Sequence, residues 1–328
     1  MSYLTAYRCS DTECNSRTLR VDEDCLVCVN GHRYPFILHT QIPQFVVLPE
    51  NTNAYTTAHA ATINQNYMRW MYETFSTDDA TLRRQLISRL NLKPGMRVLV
   101  TGAGSGDEVP YIIEALADSG EIYAQDIAKE MLLEGAIAIN NTFATSPIRV
   151  HWSISDATNL PFVDNYFDAA YHFGGINLYP DIGLGIAEMN RVVKPGGVVL
   201  FGDEGIGEWL HHTQLGKMLI TNNPLYASVP PLALLPETAR NVVLSWELEN
   251  CFYVIQFCVA DEPLTINFDA THAGKRGGSM RSRFYGKLEG VDPTLRDAIY
   301  ADAERLGMSR VAYIEAALRS ILANENTK

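Results

Sequence analysis

The middle of the chain alternates short apolar runs with longer segments in which apolar residues recur every three or four positions. The short runs are rich in residues that favour strands, and the longer segments have the period of an amphipathic helix. Strands that alternate with helices are typical of a parallel sheet. The predicted strands are 98–101, 121–125, 148–153, 167–172 and 198–201, and the predicted helices between them are 107–116, 129–140 and 181–193.

Segments of a different kind flank this α/β pattern. A helical lead-in covers 58–90, and two antiparallel strands within 241–260 are expected to complete the sheet. Two amphipathic helices are predicted at 293–306 and 309–323. We therefore expect three parts: a small module at 1–50, an α/β domain at 51–262 and a helical extension at 263–328.

Composition and charge limit the function. The 328 residues carry 26 Lys and Arg against 38 Asp and Glu, a net charge of −12, and 47% of them are hydrophobic. An acidic chain is a poor match for a protein whose whole surface holds nucleic acid, because phosphate contacts need basic side chains. No apolar run approaches 18 residues, and the first residues lack the pattern of a leader. We expect a cytoplasmic protein without a membrane partner.

Four of the six cysteines lie in the first 30 residues. Cys9, Cys14, Cys25 and Cys28 are followed by His32, and in a reducing compartment such crowding indicates a metal site before it indicates disulfides. Tetrahedral Zn²⁺ takes four thiolate or imidazole ligands and stabilises fragments too small for a core of their own. The pattern predicts a structural zinc site and leaves five candidates for its four places.

The stretch V-L-V-T-G-A-G-S-G at 98–106 leads from the first strand of the α/β domain into a helix. Gly102, Gly104 and Gly106 tolerate positive φ and have no Cβ, so the backbone can approach a ligand closely at the start of the helix. Asp126 ends the next strand twenty residues later, where a carboxylate accepts hydrogen bonds from both hydroxyls of a ribose. Together they predict a nucleotide-type cofactor.

Five motifs in this order resemble the class I S-adenosylmethionine-dependent methyltransferases, in particular the ubiquinone and menaquinone C-methyltransferases. They are V-L-V-T-G-A-G-S-G, the strand-end Asp126, S-D-A-T-N-L-P-F from 155, N-Y-F-D-A-A-Y from 165 and E-M-N-R-V-V-K-P-G-G-V-V-L-F from 188. The resemblance covers about residues 60–205. It implies a Rossmann-like, seven-stranded methyltransferase fold, S-adenosyl-L-methionine as cofactor and an enzyme that transfers a methyl group.

The resemblance also implies the cofactor contacts. The three glycines are expected to pass close to the methionine part, Asp126 to hold the ribose, and Asp156 with Ala157 to meet the adenine. The complete expected set is Thr101, Gly102, Ala103, Gly104, Gly106, Asp126, Ile127, Asp156, Ala157 and His172. One position departs from the family: an acid that organises the loop is usual two residues before the first glycine, and this chain has Val100 there.

The first 50 residues resemble the small zinc ribbon that precedes some methyltransferase domains, including rRNA guanine methyltransferases. The likeness lies in C-V-N-G-H-R-Y-P-F-I-L-H-T-Q-I-P-Q-F-V from 28. It implies the ligand set Cys9, Cys14, Cys28 and His32, with Cys25 as the alternative to His32. Four residues separate Cys9 from Cys14, where two are usual in the family.

Candidates for the chemistry lie after the fourth and fifth strands. Methyl transfer from a sulfonium is an in-line displacement, so the enzyme chiefly positions the acceptor and, for oxygen or carbon acceptors, removes a proton. We expect His172, His211 and Glu204 to be the catalytic candidates and the acceptor to be a small molecule. Tyr55 and Tyr67 of the lead-in are candidates for a lid over the ligand.

The sequence leaves two alternatives open. The zinc ribbon favours an RNA methyltransferase, although Lys and Arg are sparse between 98 and 210. The C-terminal helices resemble those of ribbon-helix-helix DNA-binding dimers, in which the strand-like R-S-R-F-Y-G-K at 281–287, within the basic segment 272–287, would enter the groove. That pattern predicts a ligand sensor that binds DNA, or a homodimer formed through the C-terminal helices.

Overall fold

The computed structural model describes residues 2–14, 16, 18–37, 40–47, 57, 60–285 and 291–325. The chain divides into two compact units, Met1–Pro263 and Leu264–Lys328. The module boundary predicted at residue 50 lies outside the described residues, as does Tyr55.

The first unit begins with a three-stranded antiparallel sheet. Its strands are β1 (Leu19–Asp22), β2 (Cys25–Cys28) and β3 (Arg33–Pro35), after a short 3₁₀ helix at Ser2–Ala6. Tyr7, Leu26 and Tyr34 of this N-terminal module are buried in the same apolar cluster as Phe162 of the following domain. The module therefore shares a core with the domain, which suits a fragment too small to bury a core alone.

A seven-stranded sheet forms the centre of the first unit. Its strands are β4 (Arg97–Thr101), β5 (Glu121–Asp126), β6 (Arg149–Ile154), β7 (Phe167–Phe173), β8 (Val193–Glu204), β9 (Ala239–Glu247) and β10 (Phe252–Val259). Their spatial order is β6-β5-β4-β7-β8-β10-β9. The strands from β6 to β8 are parallel, and β10 runs antiparallel to both its neighbours. The predicted Rossmann-like, seven-stranded fold is confirmed.

Helices precede the strands and connect them. They are α1 (Ala60–Thr74), α2 (Asp79–Ser88), α3 (Val109–Leu116), α4 (Lys129–Thr142), α5 (Ile182–Val192) and α6 (Gln214–Asn222). Successive side chains of β4 enter different apolar clusters: Val98 and Val100 belong to one, and Leu99 belongs to the other. Because strand side chains alternate between faces, the sheet is buried on both sides.

The fifth parallel strand is longer than predicted. The expected strand 198–201 lies inside β8, which begins at Val193. Phe167 pairs with Val193 and Ala169 pairs with Val198, so the register shifts between these two pairs. The extra residues of β8 form an irregularity against β7, and pairing resumes on either side of it.

The second unit contains α7 (Met280–Tyr285), α8 (Pro293–Arg305) and α9 (Arg310–Glu325). The last two confirm the predicted helices. Ser309 Oγ accepts the Ala312 N–H at 3.2 Å before α9, and the Tyr313 hydroxyl donates to Asp302 of α8 at 2.7 Å. A homodimer through these helices stays a prediction. Among the described residues of both units, no helix combines the length and the apolar character needed to span a membrane.

The predicted DNA-reading strand at 281–287 is wrong where the structure describes it. Residues 281–285 belong to α7, and residues 286 and 287 lie outside the described residues. Ser279 Oγ accepts the Ser282 N–H at 3.1 Å, which caps this helical turn. Arg283 Nε donates to the Gly277 backbone oxygen at 2.9 Å. The DNA-binding alternative thereby loses the strand on which it rested.

Candidate active site

The five parallel strands end at one edge of the sheet. Polar residues stand at or just beyond these ends: Thr101, Asp126, Asp156, His172 and Glu204. Ligands of open α/β sheets bind in the crevice outside the carboxyl ends of the strands. The predicted cofactor residues all lie at these ends or in the loops that follow them: Thr101, Gly102, Ala103, Gly104, Gly106, Asp126, Ile127, Asp156, Ala157 and His172.

The loop after β4 has a backbone that requires glycine. Gly102, Gly104 and Gly106 have φ of +61°, +52° and +76°. A Cβ on Gly102 would lie 2.8 Å from the His172 ring, closer than van der Waals contact allows. The loop therefore has no side chains at three of its positions. Gly102 is exposed, whereas Gly104 and Gly106 are buried and leave room for the side chains of Met131 and Trp152.

Asp126 holds this loop in place. Its Oδ2 accepts the Gly104 N–H and its Oδ1 accepts the Ala128 N–H, each at 2.7 Å. Burial raises the pKa of this carboxyl, against the effect of the two N–H groups. Each oxygen keeps a lone pair with which it could accept from a further donor. Val100 is buried and has no polar side-chain atom, so in this structure Asp126 is the carboxylate that organises the glycine loop.

His172 lies against the start of the same loop. Its Nδ1 is 2.8 Å from the Thr101 backbone oxygen and 3.2 Å from the Tyr179 hydroxyl. A carbonyl only accepts, so Nδ1 carries the proton and Nε2 is an acceptor. Nε2 is buried and has no hydrogen-bond partner among the described residues. Burial lowers the pKa of His172 to about 4, so the ring is neutral at physiological pH.

The loop after β6 carries Asp156 and Ala157. Asp156 is half-buried, and its Oδ1 accepts the Thr158 N–H at 2.8 Å and the Thr158 hydroxyl at 2.7 Å. Asn159 Nδ2 donates to the Ser10 backbone oxygen of the N-terminal module at 2.7 Å. The loop expected on the adenine side is thus a local turn that is also bonded to the module.

Glu204 is the centre of a second polar group at the end of β8. Its Oε1 accepts the Tyr67 hydroxyl of α1 at 2.6 Å, a short charge-assisted hydrogen bond. Its backbone oxygen accepts Asn177 Nδ2 at 2.7 Å. The Tyr226 hydroxyl is buried near the Tyr67 hydroxyl. Burial and the nearby Glu204 raise the pKa of Tyr226, so this hydroxyl stays protonated.

Asp203 shapes the turn after β7. Its Oδ2 accepts the N–H groups of Gly175 at 3.1 Å and Asn177 at 2.6 Å, and its Oδ1 accepts the Glu204 N–H at 2.9 Å. Burial and the neighbouring Glu204 raise the pKa of Asp203. These contacts hold Asn177 beside Glu204. Asn177 and Tyr226 were not predicted. An amide two residues after the Gly-Gly pair that follows β7 is the one local signal that could have indicated Asn177.

His211 makes its hydrogen bond to the backbone rather than to a side chain of either group. It is half-buried, and its Nε2 is 3.3 Å from the Ile206 backbone oxygen. Of the three predicted catalytic residues, the structure brings His172 to the glycine loop and Glu204 to the tyrosine and amide group, whereas His211 contacts the chain that follows β8.

Cys9, Cys14, Cys28 and His32 come together in the N-terminal module. One ligand atom of each lies within 4.8 Å of all the others. The Sγ atoms of Cys14 and Cys28 are 3.8 Å apart, and His32 Nδ1 is 3.4 Å from both Cys9 Sγ and Cys28 Sγ. Zn–S bonds of about 2.3 Å at tetrahedral angles separate two sulfurs by about 3.8 Å. The donor set and its spacing therefore fit a tetrahedral zinc ion.

Cys25 is not part of this cluster. It lies three positions from Cys28 in β2, and residues three apart in a strand point to opposite faces. Its Sγ lies 3.4 Å from Asp24 Oδ1 instead. His32 Nε2, on the side of the ring away from the sulfurs, is 3.6 Å from Asp11 Oδ2. A carboxylate in that position orients a metal-binding imidazole.

Comparisons with known proteins match the α/β domain. Residues 58–203 match the model of the ubiE/COQ5 methyltransferase family. The ubiquinone/menaquinone biosynthesis C-methyltransferase UbiE of Cupriavidus metallidurans is 33% identical over 114 residues, which are 35% of this chain and 45% of that protein. The demethylmenaquinone methyltransferase of Desulfitobacterium hafniense is 31% identical over 151 residues, covering 43% and 58%. The chain spans about half the length of the curated relatives it matches.

Among solved structures, phosphoethanolamine N-methyltransferase 2 of Haemonchus contortus in complex with S-adenosyl-L-methionine has a TM-score of 0.49. It is 12% identical, and the match covers 62% of this chain and 58% of that one. The sheet order, the glycine loop and the match to the family model together define a class I S-adenosylmethionine-dependent methyltransferase domain. The resemblance predicted from five motifs is confirmed.

Proposed function

We propose that the chain is an S-adenosylmethionine-dependent methyltransferase that acts on a small-molecule acceptor. The observation that carries this proposal is the edge of the sheet where the glycine loop, bonded to Asp126, stands next to the unpartnered Nε2 of His172. A buried acceptor beside a backbone without Cβ atoms fits a ligand that approaches closely and donates a hydrogen bond.

The residues at this edge suit the parts of the cofactor. The methionine part would lie along Gly102 and Gly104, with His172 Nε2 as an acceptor for its ammonium group. Asp126 would accept from the ribose hydroxyls, and Asp156 from the adenine amino group. When bound, S-adenosylmethionine supplies a methyl group on a positively charged sulfur. Because His172 is neutral, it does not repel the positively charged sulfur.

Glu204 is the proposed base on the acceptor side. An oxygen or carbon acceptor loses a proton as it gains the methyl group, and a carboxylate beside the acceptor takes that proton. Tyr67 would hold the Glu204 carboxylate in position through its 2.6 Å hydrogen bond. The buried hydroxyl of Tyr226 is a protonated donor that could orient a polar atom of the acceptor.

The charge of this group supports a small molecule rather than RNA. The side chains gathered at the end of β8 are acidic, phenolic or amide: Tyr67, Asn177, Asp203, Glu204 and Tyr226. Carboxylates repel a polyanion, and RNA enzymes need basic contacts to the backbone. The RNA methyltransferase stays the alternative that the experiment must test.

Two measurements test the proposal. Titration calorimetry should give a micromolar dissociation constant for S-adenosylhomocysteine, on the order of typical KM values for enzyme ligands. Incubation with methyl-labelled S-adenosylmethionine should label a compound in a small-molecule cell extract and leave total RNA unlabelled. Label in RNA alone would replace the proposal by its alternative. Absence of binding at millimolar S-adenosylhomocysteine would overturn both.

We also infer a structural zinc ion held by Cys9, Cys14, Cys28 and His32. The support is the tetrahedral spacing of their ligand atoms and the carboxylate of Asp11 behind the imidazole. When bound, zinc cross-links two loops of a module that shares its core with the larger domain.

A further inference from the structure

The N-terminal module adds a strand segment to the edge of the large sheet. The Ile154 N–H donates to the Pro43 oxygen at 3.0 Å, and the Phe45 N–H donates to the Ile154 oxygen at 2.8 Å. These bonds place Gln44 beside Ile154 as a parallel bridge. Ile154 is the last residue of β6, directly before the loop with Asp156. The module therefore fixes the point where that loop begins.

The same module also fixes the point where the loop ends. The Arg8 N–H donates to the Pro161 oxygen and the Val163 N–H donates to the Ala6 oxygen, each at 2.9 Å. These bonds form an antiparallel bridge in which Tyr7 faces Phe162. Both ends of the segment 155–160, which carries the expected adenine contacts, are thus bonded to the module.

Asn159 connects the middle of this segment to the metal cluster. Its Nδ2 donates to the Ser10 oxygen at 2.7 Å, and its N–H donates to the Asp156 oxygen at 3.1 Å. Ser10 follows Cys9 in the chain. The Tyr34 hydroxyl lies 2.9 Å from Cys9 Sγ and accepts the Ser10 N–H at 3.1 Å. Ser10, whose oxygen accepts the hydrogen bond from Asn159, is therefore bonded to the same tyrosine that contacts the Cys9 sulfur.

A loop that is ordered before binding costs the ligand less conformational entropy. The segment 155–160 has no helix or strand of its own, and the bond from Asn159 to Ser10 is one of the contacts that order it. An empty cluster would release the chain around Cys9 and Ser10, and Asn159 would lose a fixed partner. Binding of the cofactor would then have to order the loop, and the entropic cost would weaken its affinity. Two sites that order one segment are coupled, and the coupling is reciprocal.

We propose that Asn159 couples the metal cluster to the adenine side of the cofactor site. A filled cluster tightens the binding of S-adenosylhomocysteine, and S-adenosylhomocysteine tightens the binding of zinc by the same factor. Asn159 is a positioning residue, since it acts through the turn that carries Asp156. The proposal rests on the proposed cofactor site and on the zinc ion inferred above.

The test is a linkage cycle on the full chain. Calorimetry gives the dissociation constant of S-adenosylhomocysteine with the cluster filled and after zinc removal by a chelator. Competition with a chromophoric chelator gives the zinc affinity with and without saturating S-adenosylhomocysteine. We expect both affinities to change by the same factor, about 5- to 20-fold, within the usual range of coupling between sites.

The variant Asn159→Ala should reduce that factor to about one while it still binds about one zinc per chain. Asn141→Ala is the matched control, because Asn141 is an exposed residue near the end of α4, and its coupling should equal that of the natural chain. Hydrogen exchange provides a readout independent of ligand affinity: amides of 155–160 should gain protection on zinc binding in the natural chain and not in Asn159→Ala.

The outcomes separate this inference from the proposed function. Coupling that persists in Asn159→Ala, or a natural chain whose affinity for S-adenosylhomocysteine ignores zinc, overturns the coupling and leaves the cofactor site intact. A chain that binds S-adenosylhomocysteine but no zinc also overturns it. Failure to bind S-adenosylhomocysteine in any state overturns the proposed function itself.

Discussion

The carboxylate of Asp126 accepts the backbone N–H of Gly104 at 2.7 Å. This bond joins the end of β5 to the middle of the glycine loop after β4, where two neighbouring strands meet at the proposed cofactor site. The position two residues before the first glycine holds Val100, which has no polar side-chain atom to share the task. One carboxylate therefore organises the loop and is also the proposed acceptor for the ribose.

Because of this double role, Asp126→Asn should weaken S-adenosylhomocysteine binding severely. The amide removes the negative charge and directs N–H groups towards the N–H of Gly104 or Ala128. Loss of charge-assisted hydrogen bonds of this kind costs about 1.5–3 kcal/mol, or about 10- to 150-fold in affinity by calorimetry. Asp118→Asn is the matched control, since Asp118 is exposed after α3, and it should leave the affinity unchanged. Equal affinities in the two variants would refute the role of Asp126.

Glu204→Gln should separate catalysis from cofactor binding. An amide keeps the shape of the side chain but takes no proton, so we expect kcat for the identified acceptor to fall about 10²- to 10³-fold. The dissociation constant of S-adenosylhomocysteine should stay within about twofold. Tyr67→Phe removes the 2.6 Å hydrogen bond to Glu204 and should give a smaller loss, about tenfold. Glu208→Gln, at an exposed position after β8, serves as control; a kcat in Glu204→Gln equal to that of the control excludes Glu204 as the base.

Two cysteines of one strand should differ in their effect on metal content. Cys25 and Cys28 are both buried in β2, but the structure groups only Cys28 with Cys9, Cys14 and His32. Elemental analysis after metal-sparing purification should find about one zinc per chain in the natural protein and in Cys25→Ser, and almost none in Cys28→Ser. The opposite pattern would assign the ligand place to Cys25.

His172 should make the fold less stable at acidic pH. Its pKa lies at about 4 in the fold against 6.5 for an exposed histidine, so between these values the unfolded chain binds more protons. The free energy of unfolding therefore decreases as the pH falls below 6.5, by about 2 kcal/mol between pH 7.5 and pH 5. Urea unfolding at the two pH values should show this loss in the natural chain and not in His172→Gln.

Glu108 acts in the opposite direction over part of the same range. Burial raises the pKa of its carboxyl to about 7, so protonation of Glu108 favours the fold as the pH falls below that value. This effect is present in both proteins of the comparison and cancels in their difference. Identical pH dependence in the natural chain and in His172→Gln would contradict the prediction for His172.

Adjacent arginines of α2 should differ in their contribution to stability. Arg83 is 4% exposed and donates to Asp79 at 2.5 Å and to the buried carboxylate of Glu108. Arg83→Met leaves these carboxylates without their cation and should lower the free energy of unfolding by about 3–5 kcal/mol. Arg84 pairs with Glu114 at the surface, so Arg84→Met should unfold at nearly the natural urea concentration. Similar losses in both variants would show that burial of the Arg83 group is unimportant.

Local patterns predicted most of the large sheet. The five parallel strands lie close to their expected positions because apolar residues of a buried strand are continuous in sequence. The start of β8 was less predictable, because it depends on the pairing of Val193 with Phe167, which is distant in the sequence. The segment R-S-R-F-Y is expected to be a strand from the resemblance to ribbon-helix-helix dimers, yet it folds as a helical turn that Ser279 caps. Short segments of this kind are decided by their neighbours rather than by their own period.

The chain sequence by itself determined the α/β class, the glycine loop, the strand-end Asp126 and the presence of a cysteine-rich module. These features depend on residues that are close together in the chain. Only the tertiary structure decided which four of five candidates form the metal cluster, because strand alternation turns Cys25 away from Cys28. It alone joined Tyr67 to Glu204, which lie 137 positions apart. Contacts between distant segments arise when elements pack, and no local pattern records them.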